Sequence, residues 1–154
     1  MYLLLLTVGG FASALFATSA WRHRHHPGFL HFALMEGAVT FWVFCYLGEQ
    51  LDPDHSATWF ALKFPAIALI APNWLLFARH QVSDRFHWRW TWLLFVWPAL
   101  VGPIALTNDR HHLFFREIVR REELVGLNGP LFNLHVAINY SLFLVAAGIL
   151  LVHW

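Results

Sequence analysis

Long apolar stretches separated by short polar ones run along the whole chain. A helix that crosses a membrane needs about 20 mostly apolar residues, and five segments reach or approach that length. They extend from about Tyr2 to Trp21, Gly28 to Gly48, Thr58 to Ala78, Trp90 to Leu106 and Pro130 to Trp154. Because lipid offers no hydrogen-bond partner to an open backbone, all five segments are expected to be α-helices.

The sequence therefore predicts an all-α, polytopic transmembrane helix bundle that forms a single domain over residues 1–154. Composition agrees, since 58% of the residues are hydrophobic and only 12% are charged, against about 25% charged in soluble domains. The single cysteine, Cys45, excludes a disulfide-stapled fold, and a net charge of +1 gives no basic surface for nucleic acid. The lipid bilayer is thus the first expected partner.

The first apolar segment raises the question of a signal peptide, because Ala17-Thr18-Ser19-Ala20 resembles a cleavage site. No basic residue precedes Leu3, however, so we interpret the segment as a retained helix. Its small residues predict a face for close helix packing; they are Gly9, Gly10, Ser13, Ala14 and Ala17.

The charges of the short loops predict the orientation of the bundle. The loop after the first segment contains Arg22 and Arg24, whereas the loop Glu49-Gln50-Leu51-Asp52-Pro53-Asp54 has only acidic charges. The third loop again contains arginines, at 79, 85 and 89. Because cytoplasmic loops are enriched in Lys and Arg, we expect a multi-pass protein with the N-terminus outside and, after five crossings, the C-terminus in the cytoplasm.

Several polar residues interrupt the apolar segments. A charged side chain inside a membrane costs about 2.5–3.5 kcal/mol on insertion scales, so Glu36 and Lys63 are expected to face the bundle interior or, for Lys63, to reach the surface. A direct Glu36–Lys63 pair is one alternative. Together with three neutral polar residues they could outline a small ligand cavity or serve only as interhelical hydrogen bonds; these residues are Asn73, His135 and Asn139.

Eleven histidines suggest metal or pigment chemistry, but their spacing argues for neither. His23, His25 and His26 fit an interfacial basic stretch, and no histidine group has the spacing of a zinc site. We therefore expect no metal and no cofactor; the alternative is a chlorophyll-type pigment bound through His31 or His135. No phosphate loop, nucleophile elbow or His-Glu-x-x-His motif occurs, so no enzymatic activity is expected.

Three motifs resemble the N-terminal seven-helix membrane region of bacterial sensor histidine kinases. The first joins Trp59-Phe60-Ala61-Leu62-Lys63-Phe64 to Ala71-Pro72-Asn73-Trp74-Leu75-Leu76-Phe77-Ala78. The second is Thr107-Asn108-Asp109-Arg110-His111-His112-Leu113-Phe114, and the third is Gly129-Pro130-Leu131-Phe132-Asn133-Leu134-His135. The resemblance covers roughly residues 29–150 and implies an outer N-terminus, a sensing role and an outer-loop motif at Thr107, Asn108, His111 and His112.

The sequence ends after the fifth predicted helix, without the last two helices and the kinase domain that the resemblance implies. We therefore expect a non-catalytic accessory subunit that associates with other subunits of a larger membrane complex. The Trp and His content suggests a photosynthetic pigment–protein complex as the host. The alternative is a stand-alone sensor module that binds a small or lipid-like ligand and signals through a separate partner.

Overall fold

A computed structural model describes residues 2–82, 90–120 and 124–153. The α-helices are α1 (Tyr2–Arg22), α2 (Phe29–Leu51), α3 (Ser56–Val82), α4 (Val96–Leu106), α5 (Asn108–His111) and α6 (Pro130–His153). Short 3-10 helices at Pro53–His55 and Thr91–Phe95 precede α3 and α4, and the strands β1 (Phe115–Arg120) and β2 (Leu124–Asn128) lie between α5 and α6. The all-α prediction is confirmed for most of the described residues, and the two strands depart from it.

Four of the five predicted spans are long apolar helices within the described residues: α1, α2, α6 and the stretch Pro53–Val82. The fourth predicted span, about Trp90 to Leu106, corresponds to the shorter apolar segment Thr91–Leu106, in which α-helix begins only at Val96. Pro98 supplies a physical reason, because its ring would clash with the carbonyl of Leu94 in a continuous α-helix but is tolerated in the first helical turn.

Helix α3 organises the bundle, because it contacts α2, α4 and α6, whereas α1 contacts α2. One apolar core cluster lies where α3 and α4 meet the segment after α5, and it contains Phe64, Val101, Phe114 and Phe115. A second cluster joins Leu75 and Ala78 of α3 to Ala146 of α6. Among the four long apolar helices of the described residues, the stretch that contains α3 is the most buried.

The connection between the fourth and fifth predicted spans departs from the all-helical prediction. Strands β1 and β2 form an antiparallel hairpin in which Ile118 pairs with Gly126 and Phe115 pairs with Asn128. The pairing is irregular between Phe115 and Glu117. Such an irregularity changes the direction in which neighbouring side chains point. The side chain of Phe115 is almost fully buried in the core.

The small-residue face of α1 is confirmed in part. Gly10 is buried against Val43 of α2, and Ser13, Ala14 and Ala17 are half-buried along the same side. Gly9 is exposed, and a Cβ atom there would meet nothing within 4 Å. The difference follows from the helical rotation of about 100° per residue.

Two of the arginines that predicted the orientation, Arg85 and Arg89, lie outside the described residues. The first and second loops lie at opposite ends of α2, which separates the basic residues 22–24 from the acidic Asp52 and Asp54.

A matched pair of substitutions tests the close approach of α1 to α2. A Cβ atom at Gly10 would lie 2.8 Å from Cγ1 of Val43, whose β-branched side chain has one preferred rotamer in a helix. We expect Gly10→Ala to destabilise the bundle by about 1–3 kcal/mol, which lowers the melting temperature by about 2–10 °C. Gly9→Ala is the control in the same detergent melt, and an equal loss in both variants would contradict the packing.

Candidate functional site: polar centres within the bundle

The polar residues predicted from the apolar segments do not form one cavity. Lys63, Asn73 and His135 each belong to a different centre within the part of the chain that the structure describes, and Glu36 belongs to none of them. Only His135 and Asn139, four residues apart on α6, lie together as their spacing predicts.

A buried ion pair joins α2 to α3. Nζ of Lys63 lies 2.5 Å from Oε2 of Glu49, and the two side chains are only 8% and 2% exposed. Of the alternatives for Lys63, a direct pair with Glu36 is therefore not the arrangement in the structure. Glu49 was assigned to the acidic second loop, but α2 continues to Leu51 and carries this carboxylate into the bundle, where Lys63 compensates its charge.

Aromatic rings complete the surroundings of this ion pair. The Lys63 ammonium lies 4.6 Å from the ring centroid of Tyr46 and 4.4 Å from that of Phe60, within the range of cation–π attraction. Oε1 of Glu49 is buried and has no hydrogen-bond partner among the described residues. The pair therefore holds the ends of α2 and α3 together while leaving one acceptor unsatisfied.

The connection next to this pair is held by Asp52. Its carboxylate accepts a 3.1 Å hydrogen bond from Nε1 of Trp59 and lies 3.1 Å from Nδ1 of His55. The indole hydrogen bond, followed by that of His55, lowers the pKa of the Asp52 carboxyl below its ordinary value. Gly48 permits the approach of the Trp59 ring, because a Cβ atom there would lie 2.6 Å from it.

A second polar centre lies at the opposite end of the same two helices. Nδ1 of His31 lies 3.1 Å from Oδ1 of Asn73, and the His31 ring stacks on that of His80 with centroids 5.5 Å apart. Nδ2 of Asn73 donates to the carbonyl of Leu69 in its own helix. An amide oxygen only accepts, so Nδ1 of His31 is the donor in this pair.

The third polar centre, which we call the His135 centre, consists of His135, Asn139 and Trp97. Nε1 of Trp97 donates to Nδ1 of His135 over 3.2 Å, and Nδ2 of Asn139 lies 3.2 Å from the same atom. An indole N–H only donates, so Nδ1 is the unprotonated nitrogen and Nε2 bears the hydrogen of the neutral ring. Oδ1 of Asn139 is buried without a partner among the residues that the structure describes.

Aromatic side chains from separate elements surround the His135 ring. Its centroid lies 6.2 Å from that of Phe64 in α3 and 5.7 Å from that of Phe114, which precedes β1. Phe132 of α6 also contacts the ring, and Trp97 belongs to α4. Four parts of the fold therefore meet at one buried histidine, which is 3% exposed.

The outer-loop motif has a structural role that its sequence alone does not reveal. Oδ1 of Asn108 accepts hydrogen bonds from the backbone N–H groups of Phe114 and Phe115, at 3.0 and 2.9 Å, and Nδ2 donates to the carbonyl of Phe115. These bonds satisfy backbone groups that enter the core with the two phenylalanine rings. Asn108 thus fixes the contact between the loop and the His135 centre.

The other motif residues shape the turn that follows Asn108. Nδ1 of His111 accepts from the backbone N–H of Leu113, so its Nε2 bears the hydrogen that points to the Thr107 hydroxyl at 3.3 Å. His112 adopts a left-handed backbone conformation with φ of 51° and ends α5. The side chains of Thr107 and His111 thus interact with each other and with neighbouring backbone groups.

Glu36 lies apart from the three centres. It is half-buried on α2, and its backbone carbonyl accepts the Thr40 hydroxyl at 2.9 Å. Its carboxylate has no hydrogen bond or ion pair with any described residue. Glu36 was expected to face the bundle interior; in the structure it is only half-buried.

The described residues contain no group of three or more His, Cys, Asp or Glu side chains that could hold a metal ion. Both histidines considered for pigment binding already use Nδ1 in contacts with protein side chains, His31 with Asn73 and His135 with Trp97.

Sequence reasoning missed Glu49, Trp97 and the phenylalanine pair Phe114-Phe115. Glu49 precedes Lys63 by 14 residues. The two residues lie on consecutive helices, α2 and α3, so no spacing along one helix relates them. The signal that could have found Glu49 is its position directly after an uninterrupted apolar run, where a helix of 23 residues easily extends through it. The adjacent Phe114 and Phe115 in a polar loop were a further signal, because two neighbouring large apolar side chains in a loop indicate a contact with an apolar surface.

Comparison with known proteins gives one family. A family model described as the N-terminal 7TM region of histidine kinase matches residues 5–154. No curated protein and no solved structure matches the chain.

The Asn108 hydrogen bonds generate a prediction about the loop. Asn108→Ala leaves the buried N–H groups of Phe114 and Phe115 without their acceptor, which costs about 1–3 kcal/mol for each. We expect the melting temperature in detergent to fall by at least about 4 °C. Asp109→Ala changes the exposed neighbouring residue and should melt like the unmodified chain; the same melting temperature in all three proteins would show that the Asn108 bonds contribute nothing.

Proposed function

Because the chain belongs to the family of N-terminal 7TM regions of histidine kinases, we propose that it senses a small or lipid-like ligand, or a change in its outer loop, and passes the signal on through a separate signalling partner. The chain itself is a membrane sensor module with helices long enough to cross a bilayer. We place it in the bacterial inner membrane and assign the chemistry of signalling to the partner.

The observation that carries this proposal is the meeting of four elements at His135. The loop after α5 contributes Phe114, α3 contributes Phe64 and α4 contributes Trp97, while His135 itself belongs to α6. Closely packed interiors respond to displacement by repacking between discrete arrangements rather than by gradual deformation. A displacement of the loop would therefore move α6.

Helix α6 provides the route of transmission. It starts directly after the hairpin, at Pro130, and runs for 24 residues to His153, about 36 Å at 1.5 Å per residue. The backbone N–H of Leu131 donates to the carbonyl of Leu113, so the loop and the start of α6 are joined by main-chain hydrogen bonding as well. A shift at the loop end thus has a rigid connection to the far end of the membrane.

The family match supports the sensor interpretation, whereas no observation on the described residues supports an accessory subunit of a pigment complex. Within the described residues, the side chains of each polar centre bond to one another. One oxygen each of Glu49 and Asn139 is buried there without a partner. Those two oxygens are the acceptors that a small ligand with a hydrogen-bond donor would use.

We further propose five crossings with the N-terminus outside and the C-terminus in the cytoplasm. The segment Thr91–Leu106 is long enough for this, because five 3-10 residues and eleven α-helical residues span about 26 Å at their usual rises of about 2.0 and 1.5 Å. That length approaches the hydrocarbon thickness of about 30 Å. The basic first loop then faces the cytoplasm.

Cysteine labelling of intact spheroplasts with a membrane-impermeant maleimide tests the orientation. We expect Asp54→Cys and Leu127→Cys to react from outside, because both positions are exposed in outer loops. His25→Cys and His153→Cys should react only after the membrane is permeabilised. The unmodified chain is the control, since its Cys45 is 0% exposed; outside labelling of both His25→Cys and Asp54→Cys would exclude this topology.

A kinase chimera tests the proposed function. The complete chain is fused at its C-terminus to the dimerisation and ATP-binding domains of an unrelated histidine kinase, in a series of one-residue linker extensions, and autophosphorylation is measured in membrane vesicles. We expect His135→Gln and Trp97→Phe to change the rate by about 2- to 30-fold, which corresponds to a coupling of about 0.5–2 kcal/mol.

Leu144→Ala is the matched control for the chimera, because Leu144 lies on α6 and is 72% exposed. It should leave the rate unchanged. Melting temperatures of all variants separate signalling defects from unfolding. If the rate stays the same in folded His135→Gln and Trp97→Phe chimeras at every linker length, the chain acts as an inert anchor and the proposal is wrong.

A further inference from the structure

An apolar groove of about 170 Å³ lies between α1 and α2. The hydroxyls of Thr7 and Thr40 already donate to the carbonyls of Leu3 and Glu36, at 2.7 and 2.9 Å, so the groove offers no free hydrogen-bond donor. The lining residues are Thr7, Gly10, Phe11, Ala14, Thr40, Val43, Phe44 and Leu47.

Glu36 lies one helical turn beyond this groove. Residues four apart lie on one helix face, so Glu36 shares a face with Thr40, which lines the groove. It is half-buried seven residues into a 23-residue apolar helix, at membrane depth, where ionisable side chains are retained for function and are matched by a partner.

No cationic side chain of the described helices forms an ion pair with the Glu36 carboxylate. Lys63 is the single lysine of the sequence and is already paired with Glu49. Helix α1, which packs against this side of α2, carries no charged side chain before Arg22. The Glu36 carboxylate therefore lacks a counter-ion in the described part of the chain, next to a groove that is otherwise apolar.

We propose that the groove and Glu36 together bind a small apolar ammonium compound that enters from the membrane. The volume suits the apolar body, because an apolar cavity of about 150 Å³ in another protein binds benzene. Phe11 and Phe44 supply aromatic surfaces that favour a nearby cation. The ammonium donates to the Glu36 carboxylate and supplies the missing positive charge. This site goes beyond the proposed function, since its occupation requires no kinase output.

Binding of three probes with the same ring tests the proposal: 2-phenylethylammonium, uncharged 2-phenylethanol and 3-phenylpropanoate. The complete chain is reconstituted in neutral phosphatidylcholine nanodiscs, and its melting temperature is measured against probe concentration. We expect the ammonium compound to stabilise the protein at concentrations about tenfold or more below those that the alcohol requires, as a charged hydrogen bond implies. The carboxylate should give no shift.

Substitution of Glu36 identifies the site. Glu36→Gln should reduce the affinity for 2-phenylethylammonium to that for the alcohol, whereas Glu117→Gln, an exposed acid of the hairpin, should bind like the unmodified chain. Glu36→Leu removes the unmatched acid and should melt no lower than the unmodified chain without probe, so folding is preserved. Equal responses to ammonium and alcohol, as expected if lipid chains alone occupy the groove, or unchanged ammonium binding by Glu36→Gln, would overturn the proposal.

Discussion

Polar groups inside this bundle depend on the protein for hydrogen-bond partners, because the surrounding lipid supplies none. That constraint accounts for the pairing of Lys63 with Glu49, which brings the ends of two apolar helices together at a fixed register. It also accounts for Asn73, whose Oδ1 accepts a hydrogen bond from His31 and whose Nδ2 donates to the carbonyl of Leu69. The packing of α2 against α3 thus depends on polar contacts at both ends and on apolar contacts between them.

The same constraint governs the loop between α4 and α6. A backbone that leaves helical structure at the edge of an apolar core exposes unpaired N–H and C=O groups, and Asn108 satisfies three of them with one side chain. Gly129 allows the close crossing that follows, because a Cβ atom there would collide with the backbone of Leu113 and Phe114. The loop can therefore insert Phe114 and Phe115 beside His135 instead of lying on the surface.

The sensing that we propose through this loop depends on packing and requires few unpaired polar groups. Within the described residues, Nδ1 of His135 accepts from Trp97, and Oδ1 of Asn139 is the buried polar atom of the His135 centre that has no partner. The aromatic rings around it come from separate elements, so its geometry depends on how those elements pack. The site is therefore sensitive to packing, which is the property that a membrane sensor requires.

The sequence determined that the protein is helical and crosses a membrane, because both follow from the length of apolar runs and from the cost of unpaired backbone in lipid. It also indicated the small-residue face of α1, which is confirmed at Gly10, Ser13, Ala14 and Ala17 but not at Gly9. The shared face of His135 and Asn139 likewise follows from helical periodicity. Only the tertiary structure decided that Lys63 forms its ion pair with Glu49 and not with Glu36. The same holds for the hydrogen bond from Trp97 to His135 and for the burial of Phe114 and Phe115 in the core. Each of these contacts joins residues far apart in the chain, and their proximity is fixed by packing between helices rather than by spacing along one.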